Sequence, residues 1–408
     1  MHKFVTNLKR EEYSNFFKKS KACFMQSYEW GIFCKHSKNQ EPHYVGIKDG
    51  DRIICEALLL EKKGPLGLSY FYSPRGFIID FNNKELLTEF VTNLKTFIKK
   101  NRGIYLKVDP DIEYQQVDVD GNAIENGYNN FEIFNNIKKL GFKHTGFIKN
   151  FENNQPRYTF IIDLNKSEDE LLNNIHKSIR KKIKKTYEYN MIFRESNDSE
   201  TFVNLLFKTC EKDNFSPYKR EYYKMALDYM NDKYKLFELV INPKELYIST
   251  KLKLDEITKK IETATKGLNN LEEAKSRLIK ELNELEIFKE KEELVICSQM
   301  CALTSDTVWT LYIGNDEIGK NLYAVNRMYW EIIKYSKETG HNKLDLFGTT
   351  GDSKNPPANL GTLHKFKHNF GGNLIEYIGE FDFVNKKVLY IILPIFLKVY
   401  RNIKKIMK

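Results

Sequence analysis

The chain of 408 residues is long enough for two or three domains with a substantial core, which excludes a peptide-sized binder. Hydrophobic residues at 41% and aromatics at 13% exclude an intrinsically disordered chain, although 29% of residues are charged. Lys and Arg outnumber Asp and Glu by 65 to 55, and the net charge of +10 favours anionic partners such as RNA, nucleotides or an acidic membrane face without choosing among them.

Met1 to Arg10 alternates charged and apolar residues and contains no apolar run of signal-peptide length. The six cysteines, Cys23, Cys34, Cys55, Cys210, Cys297 and Cys301, are scattered in the manner of thiols in a reducing compartment. A cytoplasmic location is therefore expected. Leu94 to Lys100 reads as helix, followed by a turn at Asn101 to Gly103 and a buried strand from Ile104 to Val108 that ends at Asp109. A second helix closes on Gly141 and leads into a strand at Phe142.

His176 to Tyr187 carries six basic residues and no acid (Lys177, Arg180, Lys181, Lys182, Lys184 and Lys185), with Ile175, Ile179 and Ile183 on one helical face. This is a cationic amphipathic helix: a phosphate-backbone or head-group contact, or a solvated surface helix. Lys244 to Leu294 holds one Gly and nearly balanced charge, and its apolar or small residues step by three and four through Leu254, Ile257, Ile261, Ala264, Leu268, Leu271, Ala274, Leu278, Leu282 and Leu285. With turn residues at Gly267, Asn269 and Asn270 it reads as an antiparallel coiled-coil hairpin inserted between strand-like flanks. Trp330 to Glu338, Gly340 and Lys343 to Phe347 then echo the earlier helix, turn and strand, and Leu363 to Phe370 with Leu374 to Ile378 echoes the second helix and strand. Two related α/β domains are the simplest account. Residues 386–408 hold seven basic residues and no acid among apolar positions, a composition suited either to a membrane interface or to packing back on the body. The apolar run from Val388 to Leu397, interrupted by Pro394, is about half the length needed to span a bilayer.

Familiar chemical motifs are weak. Gly314, Gly319 and Lys320 have phosphate-loop spacing, but Asn321 stands where Ser or Thr is needed, and Asp316 and Glu317 would repel phosphate, so a turn is expected. His364 and His368 lack a third metal ligand and read as a solvated helix face. Cys297 and Cys301 have no zinc spacing, and there is no glycine elbow carrying a Ser nucleophile. Direct transfer between two bound substrates, aided by positioning and by cations near developing negative charge, fits better.

The ordered set Gln26, Ser27 and Trp30; Phe71, Tyr72, Ser73, Arg75, Gly76 and Asp80; Asp109 and Pro110; Leu140, Gly141 and Phe142; Gln155, Pro156 and Arg157; Phe366, Lys367 and Phe370; and Glu376, Tyr377, Gly379, Glu380 and Phe381 resembles the FemABX aminoacyltransferases of the peptidoglycan cross-bridge, chiefly the FemA and MurM branches. The resemblance spans essentially the whole chain. It implies an α/β chain of two GNAT-like domains: residues 1–150, and 151–243 with 295–385, with the arm at 244–294 and a basic amphipathic segment at 386–408.

The resemblance also implies an aminoacyl-tRNA donor rather than acetyl-CoA, so no cofactor is expected, and the chain lacks the Gly-x-Gly or Gly-x-Ala turn of acetyl-CoA enzymes of that fold. The implied acceptor is the stem-peptide amine of a precursor, lipid II first among them, and Gly, Ser or Ala is the transferred residue. Peripheral contact with the inner membrane face and homo- or hetero-oligomers with related transferases complete the expected partners. Lys367 matches the family's Phe-Lys pair with Phe366 and is the candidate oxyanion-stabilising ammonium. Asp109 either orients the amine, accepts its proton or caps a turn. Substrate contacts are assigned to Lys35, Lys219, Arg220, Tyr222, Tyr223, Tyr312, Phe366 and Arg75, and tRNA or phosphate contacts to Lys177, Arg180, Lys181, Lys184 and Lys185. Two matches are displaced: Cys34 stands at the family's Lys position, with Lys35 next to it, and Tyr218 stands at its Arg position. A non-catalytic RNA- or membrane-binding relative, and a self-immunity factor using the same chemistry, are the alternatives.

Overall fold

The computed structural model describes residues 2–64, 67–213 and 215–393. The first half runs β1 (His2–Val5), α1 (Arg10–Lys19), α2 (Tyr28–Lys38), β2 (Glu41–Asp49), β3 (Arg52–Lys63), β4 (Ser69–Ser73), α3 (Lys84–Lys100), β5 (Gly103–Val108), β6 (Glu113–Gln116), α4 (Phe131–Lys139) and β7 (Phe142–His144). The second half begins with β8 (Tyr158–Asp163), α5 (Glu168–Asn174), α6 (Lys177–Thr186), β9 (Ile192–Ser196), α7 (Ser199–Lys212), α8 (Arg220–Met230) and β10 (Tyr234–Ile241). The hairpin α9 (Pro243–Thr263) and α10 (Leu268–Leu285) follows, then β11 (Leu294–Leu303), β12 (Thr307–Asn315), α11 (Glu317–Asn321), α12 (Ala324–Glu338), β13 (Lys343–Thr349), α13 (Ala358–His368), β14 (Asn373–Tyr377) and β15 (Phe381–Val384).

The fold is α/β with two mixed sheets, ordered β1-β2-β3-β4-β5-β15-β7 and β6-β14-β8-β13-β12-β11-β10-β9. Each contains one strand–helix–strand unit with parallel strands: β4–α3–β5, with Ser69 opposite Gly103, and β12–α12–β13, with Thr307 opposite Lys343. These are the two echoes in the sequence. α3 forms because Leu87, Phe90, Val91, Leu94, Phe97 and Ile98 make one buried stripe, and Asn83 caps it by accepting from Leu86 N at 3.1 Å. In α12, Met328, Trp330, Ile332 and Ile333 are all buried.

The sheets do not follow a linear division at residue 150. β15, near the chain's end, lies between β5 and β7 of the first sheet, while β6, from the first half, pairs with β14 at the edge of the second. The physical reason is burial. Ile378 and Phe381 are fully inside the first sheet's core, and Lys107 of β5 pairs with Glu380 and Asp382 at 2.8 and 2.9 Å. A third core joins the halves, with Trp30 and Phe33 of α2 packed among Phe202, Tyr223, Met300 and Trp309.

The hairpin rises between β10 and β11, which pair antiparallel with Ile241 opposite Leu294, so the insertion begins and ends at adjacent strand ends. The phosphate-loop spacing is a turn: Asp316 caps α11 by accepting from Gly319 N at 2.8 Å, and a Cβ at Gly314 would fall 2.2 Å from Leu206 N, where α7 crosses β12. His364 departs from the solvated helix face expected for it. It is buried, with Nδ1 3.1 Å from Thr350 O and Nε2 2.9 Å from Val119 O, and pins two loops. All six cysteines are buried and free. Residues 387–393 begin a helix with Val388, Ile391 and Ile392 exposed, and the rest of the basic segment at 386–408 lies outside the described residues. Among the described residues no helix is long and apolar enough to cross a membrane.

Candidate active site

The parallel pair β12–β13 ends at Trp309 opposite Asp345, beyond which β13 is irregular up to Gly348. Phe347 adopts φ +61° there, a conformation that costs a non-glycine residue roughly 1 kcal/mol or more and persists only where neighbours enforce it. Two groups do so. Asp345 accepts from Phe347 N at 2.7 Å, and Lys367 of α13 donates from Nζ to Phe347 O at 2.9 Å and Gly348 O at 2.6 Å. Lys367 is only 6% exposed, and burial pulls its ammonium down to about 7, opposed by the nearby Asp345 charge. An ammonium has three donors, so one remains beyond the two carbonyls. Asp345 is buried with Thr159 Oγ1 as a donor, and desolvation raises its carboxyl to about 6. Phe366 turns the other way, packing edge-on against Tyr329 and Phe370 in the core rather than toward an open site.

Asp109 follows β5 at the end of the other parallel pair. It is 2% exposed; Oδ1 accepts from Arg75 N at 2.8 Å and Oδ2 from Tyr72 Oη at 2.9 Å. Of the roles left open for it, turn capping is the one these contacts display. Burial raises its carboxyl to about 7, with Arg75 opposing. Arg75 is buried as well. Its guanidinium lies 4.1 Å over the Tyr377 ring and donates to Pro156 O at 2.7 Å, so it ties the first sheet's loop to the second half. Asp345 and Tyr377 also line a cavity of about 400 Å³, together with Lys21, Asp111, Trp309 and Lys343 among others.

A second cluster of site candidates is aromatic. Tyr222 and Tyr223 of α8, Tyr312 of β12 and the exposed Tyr218 come together, Tyr218 stacking on Tyr222 at 4.2 Å and Tyr223 meeting Tyr312 edge-on at 5.2 Å. The cations assigned to this region from sequence point elsewhere. Lys35 is exposed and paired with Glu41 at 2.9 Å; Arg220 lies over Phe207 and donates to Asn204; Lys219 precedes α8 as an exposed cap residue. Cys34 is fully buried, so its position faces the core. A cation that does reach this cluster is Lys38, whose ammonium lies 5.0 Å from the Trp30 ring and 6.0 Å from the Tyr222 ring. Lys38 is eight residues after Trp30, just over two turns along α2, near enough for its long side chain to return to that ring, a spacing from which it was legible. Asp345 and Thr159 carried no comparable signal, since nothing in a strand's sequence marks a buried acid as part of a site.

Lys177, Lys181, Lys182, Lys184 and Lys185 are exposed on α6 and Arg180 is half-buried, while Ile179 and Ile183 face the core. Lys182 and Lys185 lie over Tyr323, and Arg180 donates to Asn173.

A family model described as the FemAB family matches residues 8–398. A protein of Staphylococcus epidermidis named aminoacyltransferase FemA is 28% identical over 424 residues, covering 99% of each chain. Its namesake from Staphylococcus aureus is 28% identical over 368 residues, covering 85% of this chain and 87% of its own. The crystal structure of FemX superposes with a TM-score of 0.76 at 24% identity, over 95% of this chain and 98% of that one.

Proposed function

The chain belongs to the FemAB family and is a transferase of the acyltransferase type, and from that premise we propose that it moves Gly, Ser or Ala from aminoacyl-tRNA to the stem-peptide amine of a peptidoglycan precursor, lipid II foremost, building the interpeptide bridge. The observation that carries the reading is the buried Lys367 ammonium, fixed on two carbonyls at the end of a parallel strand pair with one donor left. The acceptor nitrogen attacks the acyl carbon of the 3′ ester; the C–N bond forms, the C–O bond breaks, and the ribose oxygen leaves with the proton that the amine gives up. Negative charge develops on the acyl oxygen, and the remaining Lys367 donor stabilises it in a site from which burial excludes water.

Asp109 acts in this reading by holding the Arg75 loop, and proton transfer from amine to leaving oxygen runs through the substrates. The attacking amine, with an ordinary pKa near 10.4 if it is a lysine side chain, reacts in its neutral form. Lys38, Tyr222 and Tyr312 hold the precursor's diphosphate and sugar, with Lys38 in the place given from sequence to Lys35. An aminoacyl ester is activated already, so no coenzyme A or other cofactor takes part. The enzyme works in the cytoplasm, where charged tRNA is made, and reaches lipid II by peripheral contact at the inner membrane face; an oligomer with related transferases is compatible with this. The test is to incubate the purified protein with lipid II and tRNAs charged with Gly, Ser or Ala. The expected product is an aminoacylated lipid whose formation ribonuclease abolishes, and its absence with all three donors would overturn the reading.

A further inference from the structure

The cationic helix α6 is joined to the helix that carries Lys367. His176 N, at the start of α6, donates to Asn369 O at 2.8 Å, two residues past Lys367, and Gly371 approaches Asn174 so closely that a Cβ would fall 2.7 Å from its carbonyl oxygen. From that junction α6 runs ten residues, about 15 Å, away from the site. Lys177, Lys181 and Lys184 are spaced i, i+4, i+7, one stripe along the helix, and Ile179, Ile183 and Thr186 repeat the same spacing on the opposite, buried face. The three lysines are exposed, and among the described residues none of their side chains has a hydrogen bond or an ion pair. Beyond them, Tyr187 is 51% exposed with the Arg327 guanidinium 3.6 Å over its ring, which leaves its outer face open to stacking.

We propose that α6 is the surface on which the RNA strand of the donor lies, its phosphates on Lys177, Lys181 and Lys184, so that the acylated 3′ end arrives at the α13 end beside Lys367. The inference rests on the aminoacyl-tRNA reading and adds the place. An anionic membrane is the competing partner for such charge. An interfacial helix inserts its apolar face into the lipid, however, whereas the apolar face of α6 is closed inside the protein core. A row of unpaired ammonium groups leading to the reaction centre is the feature a single nucleic acid strand uses.

The full chain carrying Lys177→Gln, Lys181→Gln and Lys184→Gln together tests this. A control with the same loss of charge on the arm carries Lys251→Gln, Lys259→Gln and Lys266→Gln, all exposed. Binding of 3′-labelled deacylated tRNA is followed by anisotropy across a salt series, and binding to phosphatidylglycerol-containing vesicles by sedimentation. The expected result for the α6 variant is a loss of tRNA affinity of about 10- to 100-fold and a salt slope shallower by about 2. Its melting temperature, its vesicle binding and its KM for the acceptor are unchanged, and its KM for aminoacyl-tRNA rises in step with the lost affinity. Unchanged tRNA affinity, an equal fall in the arm control, or a loss confined to vesicles would each overturn the placement while leaving transfer by the wild-type protein intact. Wild-type protein that neither binds tRNA nor transfers from it would remove the donor reading, and the placement with it.

Discussion

Replacing Lys367 by Met removes the buried ammonium at nearly constant side-chain length, and it should lower the rate steeply while leaving stability almost unchanged. Burial lowers the lysine from 10.5 to about 7, so the folded state holds this proton more weakly than the unfolded chain does. Stability linked to that group is therefore present at high pH and is lost as pH falls through 10.5 toward 7, by about 4 kcal/mol at neutrality. Met recovers that amount. Against it stand Phe347 O and Gly348 O, which lose their donor at roughly 1–3 kcal/mol each. The two nearly cancel, and the melting temperature should move by no more than about 5 °C. The rate has no such compensation: loss of a fixed oxyanion donor lowers kcat by about 10²- to 10³-fold. Single-turnover transfer from labelled aminoacyl-tRNA, beside a thermal melt of the same preparation, measures both. In the wild type the cationic form of Lys367 is lost above about pH 7, giving a falling alkaline limb that the Met variant lacks. An unchanged kcat, or a melting temperature lower by more than 10 °C with normal turnover in the fraction still folded, would show Lys367 to be only a pin for the Phe347 backbone.

Glu56 of β3 is fully buried, neither carboxylate oxygen has a partner among the described residues, and burial raises it to about 9. Its native form is protonated, so the linked stability is complete below about pH 4.5 and is lost as pH rises toward 9. Glu56→Gln should therefore gain on the wild type by about 1.4 kcal/mol per pH unit from pH 6 to 8, measured by denaturant unfolding, and a pH-independent difference would refute this. Lys38→Ala should raise the acceptor KM about tenfold with kcat little changed, while Lys35→Ala, which removes only an exposed pair with Glu41, should do neither; steady-state kinetics with lipid II decides. Removing residues 244–294 and bridging the neighbouring strand ends should leave a folded protein with measurable turnover, and complete loss in a deletion that melts cooperatively would place the arm in the reaction.

The parts of the fold legible in the sequence were those written in local periodicity. The run Leu94 to Lys100 marks the second half of α3, the three-and-four spacing around Leu271 and Leu278 marks the hairpin, and the repeated helix–turn–strand motif marks the two parallel pairs. The strand exchange was not legible, because Phe381 to Val384 carries no trace of which sheet it will join; that depends on a gap between β5 and β7 created some 240 residues earlier. Within the candidate site, the Phe366–Lys367 pair was readable as a motif, while its opposed directions, one into the core and one onto two carbonyls, follow from packing on Tyr329 and from the irregularity of β13. Arg220 was drawn away by Asn204 and Phe207, neighbours contributed by α7 that no spacing along α8 reveals.

The place of β15 has a consequence for how the protein is made. During synthesis the first sheet emerges with an unfilled slot, since the strand that bridges β5 and β7 is made only after every strand of the second sheet. The N-terminal half cannot close its core around Phe381 while the rest is being translated, so folding of the two halves is a single late event rather than two successive ones. A chain stopped short of residue 381 would present two unsatisfied strand edges to its neighbours, a template for aggregation. The same interleaving leaves either half, on its own, without a strand that its sheet takes from the other.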